Sequence, residues 1–191
     1  LDRYNDKLSA VMIVWQGGME SGNAVADLLC GNVSPSGNLT STIAYAYSDY
    51  PCAKSFGGKE YNYYYEDIYV GYRYFETFGK EKVRYPFGYG LTYSDFDVKC
   101  NNVSASDSGF AFDLTVKNTG RRDAKGTYQL YLRKPTGELG NPLRSLVAFG
   151  KTKNLSPDEC EEMKACVCLS QLASYDDGGK TDNKSAYVIE K

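Results

Sequence analysis

Hydrophobic positions in the first thirty residues follow two different patterns. The run SAVMIVWQGG predicts a buried strand over residues 10–15 that ends in a glycine pair. The following MESGNAVADLLCGN predicts a helix, because the apolar residues at positions 24, 25, 28 and 29 share one face and Gly31 can end it. A strand, a glycine turn and an amphipathic helix form half of an α/β unit. Since one strand and one helix cannot bury each other, we expect the other half of this layer elsewhere.

The middle of the chain is rich in tyrosine and irregular in pattern. Pro35 and Gly37 predict a turn into a short extended segment over residues 39–43, and residues 44–67 predict a loop. The segment IYVGYRYF then alternates, which predicts a strand with two different faces. These faces would carry Ile68, Val70, Tyr72 and Tyr74 on one side, and Tyr69, Arg73 and Phe75 on the other.

From about Asn101 the pattern becomes one of strands separated by turns. The four strand segments are GFAFDLTVKNTG, GTYQLYLRKP, RSLVAFGKTKNL and CEEMKACVCLS, a spacing that indicates an all-β sandwich. The segment DDGGKTDNK predicts a solvated loop. The fold class is therefore α/β followed by all-β, with the boundary near residues 94–100.

Composition excludes several kinds of chemistry. The 191 residues carry a net charge of −2, with 24% charged and 42% hydrophobic residues, so we expect neither a nucleic-acid nor a membrane partner. Without histidine, this chain cannot form a Ser-His-Asp triad or a His metal site. The six cysteines lack C-x-x-C pairs, so we expect reduced thiols, no metal and no cofactor. The N-terminus has neither an initiator Met nor a signal-peptide layout, so we expect the chain to begin inside a longer protein.

Several of these segments together resemble one family, glycoside hydrolase family 3. VWQGGMESGNAVADLLCGNVSPSGNLTSTI, YYEDIYVGYRYFE and YPFGYGLTYSDF resemble the last part of its second, α/β sandwich domain. LTVKNTGRRDAKGTYQLYLRKP and LVAFGKTKNLSPDE resemble the fibronectin type III-like domain that follows it in many members. The positions that match the family pattern occur in order along the chain: Glu20, Gly22, Ala24, Asp27, Gly31, Pro35, Ser36, Gly37, Leu39, Gly71, Tyr72, Arg73, Tyr74, Phe87, Gly88, Gly90, Leu91, Tyr93 and Phe96.

The resemblance implies a fragment of a β-glycosidase, with β-glucosidase as the favoured activity. The family's nucleophilic Asp lies on a barrel domain and its acid/base Glu lies on the second domain, and we expect both to be absent here. The fragment would comprise residues 1–96 and a sandwich over residues 97–191 that lacks its last strand. The barrel precedes this region in most members and follows it in some bacterial ones. Because LASYDDGGKTDNKSAYVIEK is similar to the second kind, we expect a bacterial source. We also expect a cytoplasmic location, with secretion as the alternative.

Glu66 is the acidic residue with the best surroundings for a place in a substrate cleft. Its aromatic neighbours could raise its pKa and offer a platform for a sugar. The simpler interpretation is that Glu66 or Asp67 forms a buried ion pair with Arg73. Glu20 at a helix start is explained by the helix dipole. Gly17, Gly18 and Gly22 are not followed by Lys-Ser/Thr, so they do not predict a nucleotide site.

The aromatic residues between positions 68 and 96 have two interpretations, sugar stacking and packing between domains. We favour packing, because Pro86 fixes a turn, the glycines allow close approach, and Phe87, Leu91, Tyr93 and Phe96 can insert between two domains. A β-glucoside or oligosaccharide and the barrel domain would be the partners of the whole enzyme. A carbohydrate-binding module and a structural module remain alternatives. The predicted junction residues are Tyr72, Arg73, Phe87, Gly88, Gly90, Tyr93 and Phe96.

Overall fold

The computed structural model of the protein describes residues 2–135 and 137–190. The two ends of the predicted domain pair, Leu1 and Lys191, lie outside the described residues. The first part contains helix α1 (Ser21–Cys30), helix α2 (Tyr72–Phe78) and a small antiparallel pair of strands, β1 (Ile43–Ala44) and β2 (Val83–Tyr85). Short 3-10 helices cover Asp2–Lys7, Tyr47–Asp49 and Lys80–Lys82.

Helix α1 ends where the sequence predicts. Gly31 adopts a left-handed conformation with φ of 74°, and its N–H donates to the carbonyl of Leu28. The N–H of Asn32 then donates to the carbonyl of Asp27, so these two orphan carbonyls of the last turn are satisfied. None of the helix residues is buried, and Leu29 is 69% exposed. The apolar face therefore has no layer to cover it among the described residues.

The strand predicted over residues 10–15 is wrong for the described part of the chain. These residues form neither a helix nor a ladder, and no described strand pairs with them. A buried strand needs a neighbour on each side for its N–H and C=O groups, and here the backbone has none. The apolar side chains of this segment are exposed: Val11, Met12, Ile13, Val14 and Trp15.

The strand predicted for IYVGYRYF is also wrong, because the chain turns into helix α2 at Tyr72. Gly71 precedes it with φ of 59°, a conformation that interrupts an extended run. The alternation of aromatic residues hides a helical spacing, in which the rings of Tyr74 and Phe78 lie 5.8 Å apart at i and i+4. Phe75, only 1% exposed, is the buried anchor of this helix.

The second part is a β-sandwich with two antiparallel layers. One sheet has the order β3-β4-β7, formed by Phe96–Ser106, Gly109–Asn118 and Cys160–Cys168. The other pairs β5 (Thr127–Leu132) with β6 (Ser145–Lys151). The 3-10 helix Leu169–Leu172 then leads to a hairpin of β8 (Ser174–Asp176) and β9 (Ala186–Val188). The core between the layers contains Leu114, Tyr128 and Ala165, with Phe112, Leu130, Ala148 and Met163 packed against them.

Each of the four predicted strand segments contains one strand, which confirms the fold class. The sequence missed β3, because a register shift between Cys100 and Asn102 breaks its alternation. It also missed β8 and β9, which have three residues each. The boundary near residues 94–100 and the absence of the last sandwich strand stay predictions.

The fully buried Asn118 joins the end of β4 to three surrounding segments. Its amide donates to the carbonyls of Arg122 and Leu155, each at 2.8 Å. Its carbonyl oxygen accepts from the Ser94 hydroxyl at 2.6 Å and the Gly120 N–H at 3.0 Å. Because every polar atom of this side chain has a partner, it fixes the loop after β4 and the segment before β3 together.

Asp176 is likewise buried, although its segment was predicted to be a solvated loop. Its carboxylate accepts hydrogen bonds from the N–H groups of Gly179, Lys180 and Thr181 and from the Thr181 hydroxyl, at 2.7–3.0 Å. Burial by itself raises the pKa of this carboxyl, but the hydrogen bonds outweigh burial and lower the pKa to about 2. The loop between β8 and β9 is thus organised around one charge.

Asn118→Ala should lower the free energy of unfolding by about 3 kcal/mol, because it leaves several buried donors and acceptors without partners. The matched control is Asn101→Ala, which removes one exposed hydrogen bond to Thr115. Thermal and urea denaturation of both variants measures the difference. Equal stability of the two variants would contradict the role of Asn118.

The β8–β9 hairpin should lose stability in acid over a defined pH range. The pKa of Asp176 is about 2 in the folded chain against an ordinary value of 3.8. Its contribution is therefore complete above the ordinary pKa and is lost as the pH falls towards about 2. Amide exchange in the hairpin at several pH values should show this loss in the wild type and not in Asp176→Asn. Asp177→Asn, one exposed position along, should behave as wild type, and an identical response of the two variants would refute the assignment.

Candidate functional site

Tyr72 is the main contact between helix α2 and the sandwich. Its ring stacks on Phe87 at a centroid distance of 4.7 Å and meets the ring of Tyr131 edge-on at 5.9 Å. Its hydroxyl oxygen accepts a hydrogen bond of 2.7 Å from the backbone N–H of Leu146 in β6. One side chain thus contacts the connector before the sandwich and both strands of the β5–β6 sheet.

The following turn of α2 adds two polar contacts. Glu76 and Arg144 form an ion pair with 2.5 Å between carboxylate and guanidinium, and the guanidinium lies 4.5 Å from the ring centroid of Tyr131. The Thr77 hydroxyl accepts from the N–H of Leu143 at 3.0 Å. Burial raises the pKa of the Tyr131 phenol, although the Arg144 charge opposes the shift. These contacts fix the orientation of α2 on β6.

The Pro-Ser-Gly-Asn turn and the Phe-Gly-Tyr-Gly turn are held against each other. Leu39 exchanges backbone hydrogen bonds of 2.8 Å with Gly88 and Tyr89. The Asn38 amide donates to the Gly88 carbonyl, and its oxygen accepts from the Thr127 hydroxyl of β5. Gly88 has φ of 81°, a conformation that favours glycine, and a Cβ there would displace the end of the Gln129 side chain.

The remaining predicted junction residues have different environments. A Cβ on Gly90 would lie 2.5 Å from the carbonyl oxygen of Gly37, which explains the absence of a side chain. The Tyr93 hydroxyl donates to the carbonyl of Leu28 at the end of α1. Phe96 begins β3, is partly buried, and packs beside Gly126. Leu91 is 75% exposed, so the prediction that it inserts between the domains is wrong within this chain.

Arg73 does not form the predicted buried ion pair. It is half-buried, and its guanidinium lies 6.0 Å from the Tyr72 ring. Within residues 2–135 and 137–190, neither Glu66 nor Asp67 pairs with it. The predicted pairing assumed an extended strand, whereas Arg73 lies in the first turn of α2.

Glu66 lies in a tight turn with an unusual carboxylate. Its carbonyl accepts from the N–H of Tyr69 at 2.8 Å, and Asp67 beside it has φ of 47°. The Oε2 atom of Glu66 is buried and has no hydrogen-bond partner among the described residues. Glu20, the other acidic residue considered, precedes α1 and accepts from the Asn23 amide.

Just before Glu66, alternate tyrosines form a row, which we call the tyrosine stripe (Tyr61, Tyr63 and Tyr65). Neighbouring ring centroids lie 6.3 Å and 5.7 Å apart. The stripe forms one side of an open depression of about 570 Å³. The other side is formed by Pro51, Lys54 and Ser55.

Sequence reasoning missed the residues of the sandwich that hold the first part. The Ser34 hydroxyl donates to the carbonyl of Asp123, and Lys151 donates to the carbonyl of Ser36 at 2.6 Å. Arg144 belongs to the same group. These are ordinary polar residues on strands and turns, and only their partners, about 70–115 positions away, distinguish them.

Tyr72→Phe should lower the free energy of unfolding by about 1–2 kcal/mol, because the N–H of Leu146 loses its acceptor in a partly buried place. Tyr131→Phe is the matched control, since the Tyr131 hydroxyl contacts only the exposed Gln129 carboxamide. Chemical denaturation of both variants measures the two losses. A loss at Tyr131 as large as that at Tyr72 would contradict the role given to the Leu146 contact.

The described residues bear on two kinds of site, membrane spans and metal centres. No helix among them is long and apolar enough to cross a membrane. No group of three or more His, Cys, Asp or Glu side chains in the same residues could hold a metal ion. The six cysteines are free, and Cys166 and Cys168 are both exposed on β7.

Comparison with known proteins gives consistent relatives. The chain is 46% identical over 181 residues to a β-glucosidase of Ruminococcus albus and 43% identical over 207 residues to β-glucosidase A of Butyrivibrio fibrisolvens. These matches cover 95% and 99% of the chain but only 19% and 25% of the relatives, so the chain spans about a fifth to a quarter of their length.

Solved structures agree with this result. A β-glucosidase from Paenibacillus barengoltzii matches with a TM-score of 0.89 and 50% identity, over 92% of this chain and 20% of that one. β-Glucosidase 3B from Thermotoga neapolitana, in complex with glucose, matches with a TM-score of 0.85 and 39% identity, over 92% of this chain and 25% of that one. Residues 1–93 match the glycosyl hydrolase family 3 C-terminal domain, and residues 127–190 match the fibronectin type III-like domain. The chain therefore belongs to glycoside hydrolase family 3, and it contains sequence of the family's C-terminal domain followed by a fibronectin type III-like domain.

Proposed function

We propose that this chain is part of a β-glucosidase that hydrolyses terminal β-linked glucosides by a retaining double displacement. In that enzyme the chain braces the catalytic barrel and forms one wall of the cleft. The observation that carries the proposal is the similarity to β-glucosidases of Ruminococcus albus and Butyrivibrio fibrisolvens over almost the whole chain. The glucose complex of the Thermotoga neapolitana enzyme supports a glucoside as the substrate.

The retaining reaction explains why further domains are needed. It requires a nucleophile and an acid on carboxyl groups about 5–5.5 Å apart, across the bond that is broken. We place both groups outside this chain, as the family resemblance implies. The acids of this chain have simpler roles, such as the Glu76 ion pair with Arg144 and the Glu20 contact at the start of α1.

The surface of the first part supports the bracing role. Helix α1 has no buried residue, and the apolar segment at residues 10–15 is uncovered among the described residues. Exposed apolar side chains that are grouped in one region often mark a contact with another layer of protein. The junction contacts of Tyr72 and Glu76 would hold this surface in a fixed orientation for such a layer.

Two other functions have specific support. A non-catalytic carbohydrate-binding module would use the exposed tyrosine stripe, and saccharide binding by the chain without hydrolysis by the full-length protein would favour it. A structural module would use the uncovered apolar surface for assembly alone. An adjoining barrel with an Asp nucleophile in the parent reading frame would favour the glucosidase over both.

We propose a bacterial source and a cytoplasmic location, with secretion as the alternative. The bacterial relatives support the source. Six free cysteines are typical of proteins that stay in a reducing compartment.

The activity test compares the 191-residue chain with the complete enzyme. The chain alone should release no product from an aryl β-glucoside above background, because it lacks the nucleophile that forms the glycosyl-enzyme intermediate. Co-expression with the missing domains, or the full-length protein, should give activity. A chromogenic release assay measures both.

Glu66→Gln is the control for the best acidic candidate within the chain. Turnover by the chain alone that disappears in Glu66→Gln would refute both the fragment interpretation and the assignment of catalysis to other domains. An inactive full-length protein would refute the β-glucosidase proposal itself.

A further inference from the structure

The tyrosine stripe differs from the aromatic contacts at the junction. Its three rings are 60–71% exposed, whereas the rings of Tyr72 and Phe87 are partly buried between the two domains. None of the three phenol hydroxyls has a hydrogen-bond partner in the described part of the chain. Domain packing inside this chain therefore does not explain the stripe.

The three rings of the stripe follow one another at similar separations. Tyr61 and Tyr63 lie in a segment without regular secondary structure, and Tyr65 begins the turn that contains Glu66. Neighbouring ring centroids lie 6.3 Å and 5.7 Å apart. A ligand that uses all three rings must therefore have repeating units of similar size.

The chemistry around the row is suited to a neutral, hydroxylated ligand. Tyrosine offers an apolar ring together with a polar tip, and a pyranose offers apolar C–H faces with hydroxyls at its rim. Across the depression, the exposed Lys54 ammonium forms no ion pair with the described residues. The Ser55 hydroxyl donates to the Cys52 carbonyl, which leaves its oxygen free to accept. The depression, about 570 Å³ in volume, lies within the range of ligand sites.

We propose that the tyrosine stripe and the depression beside it bind a β-linked oligosaccharide. The rings contact successive sugar faces or edges, and Lys54 and Ser55 bond hydroxyls on the opposite side. The choice of a β-linked glucose polymer rests on the proposed function, while the choice of a ligand with several sugar units rests on the stripe.

The test is calorimetric titration of the 191-residue chain with cellotetraose. Saturable binding is expected in the wild type. Tyr63→Ala removes the middle ring and should weaken binding about tenfold, while Tyr63→Phe keeps the ring and should remain within about twofold. Maltotetraose, the α-1,4-linked isomer, should bind at least about tenfold more weakly than cellotetraose.

The matched control is Tyr187→Ala in the hairpin. Tyr187 is 76% exposed and its ring lies 5.1 Å from that of Tyr175, so it is an equally exposed member of another tyrosine pair. Its loss should leave the affinity unchanged, and circular dichroism should show the same fold in all variants. No saturable binding, an affinity unaffected by Tyr63→Ala, or equal affinity for maltotetraose would each overturn the proposal.

This experiment is independent of the activity assay. If the full-length protein hydrolyses aryl β-glucosides but the chain does not bind cellotetraose, the stripe proposal is wrong and the proposed function stands. If the chain binds in the manner described and the full-length protein is inactive, the stripe proposal stands and the glucosidase proposal is wrong.

Discussion

The hydrogen bond between the Leu146 N–H and the Tyr72 hydroxyl, together with the stack of Tyr72 on Phe87, determines how the two parts of this chain sit on each other. A phenol is well suited to this position, because its ring can pack against other rings while its oxygen accepts from the Leu146 N–H, which has no backbone acceptor in the sheet. Once Tyr72 is in place, the next turn of α2 brings Glu76 to Arg144 and Thr77 to Leu143. The ion pair is partly exposed, so its contribution is small beside that of the buried ring.

The first part has little hydrophobic core of its own. Among the described residues before position 94, the buried apolar side chains are Ala44 and Phe75. The order of this part therefore comes from hydrogen bonds to the sandwich, where Asn38, Ser34 and Ser36 each have a partner. This explains how irregular backbone around the Pro-Ser-Gly-Asn turn is held firmly without regular secondary structure.

The sequence predicted strongly periodic elements well and short or interrupted ones poorly. Apolar spacing and turn residues correctly predicted helix α1 and strands β4 to β7. Helix α1 also ends at Gly31, as predicted. The strand predicted for IYVGYRYF was wrong because aromatic residues occur both in strands and in packed helices. The φ of Gly71, which decides between the two, is not visible in the pattern. Strand β3 was not predicted, because its bulge interrupts the alternation of apolar and polar residues.

Prediction of the junction had the same limits. Gly88, Gly90 and Phe87 were predicted to lie at the junction, because glycine beside an aromatic residue is typical of close approach between segments. The sequence gives no comparable signal for Asn118, Asp176 and Arg144. Residues of these types are common at the surface, and they are unusual only when they are buried or paired. The predicted ion pair of Arg73 with Glu66 or Asp67 was wrong, because it assumed a strand where the chain forms helix α2.

The long separation of the junction partners also affects the order in which the chain can fold. Ser34 and Asp123 are 89 positions apart, and Ser36 and Lys151 are 115 positions apart. Contacts between distant positions form late, because the intervening chain must first be closed into a loop. During synthesis from the N-terminus, residues 34–38 leave the ribosome well before β5 and β6 have been synthesised. The turn at residues 34–38 therefore lacks its partners until β5 and β6 have been synthesised, and a pause in translation before residue 151 would prolong this state.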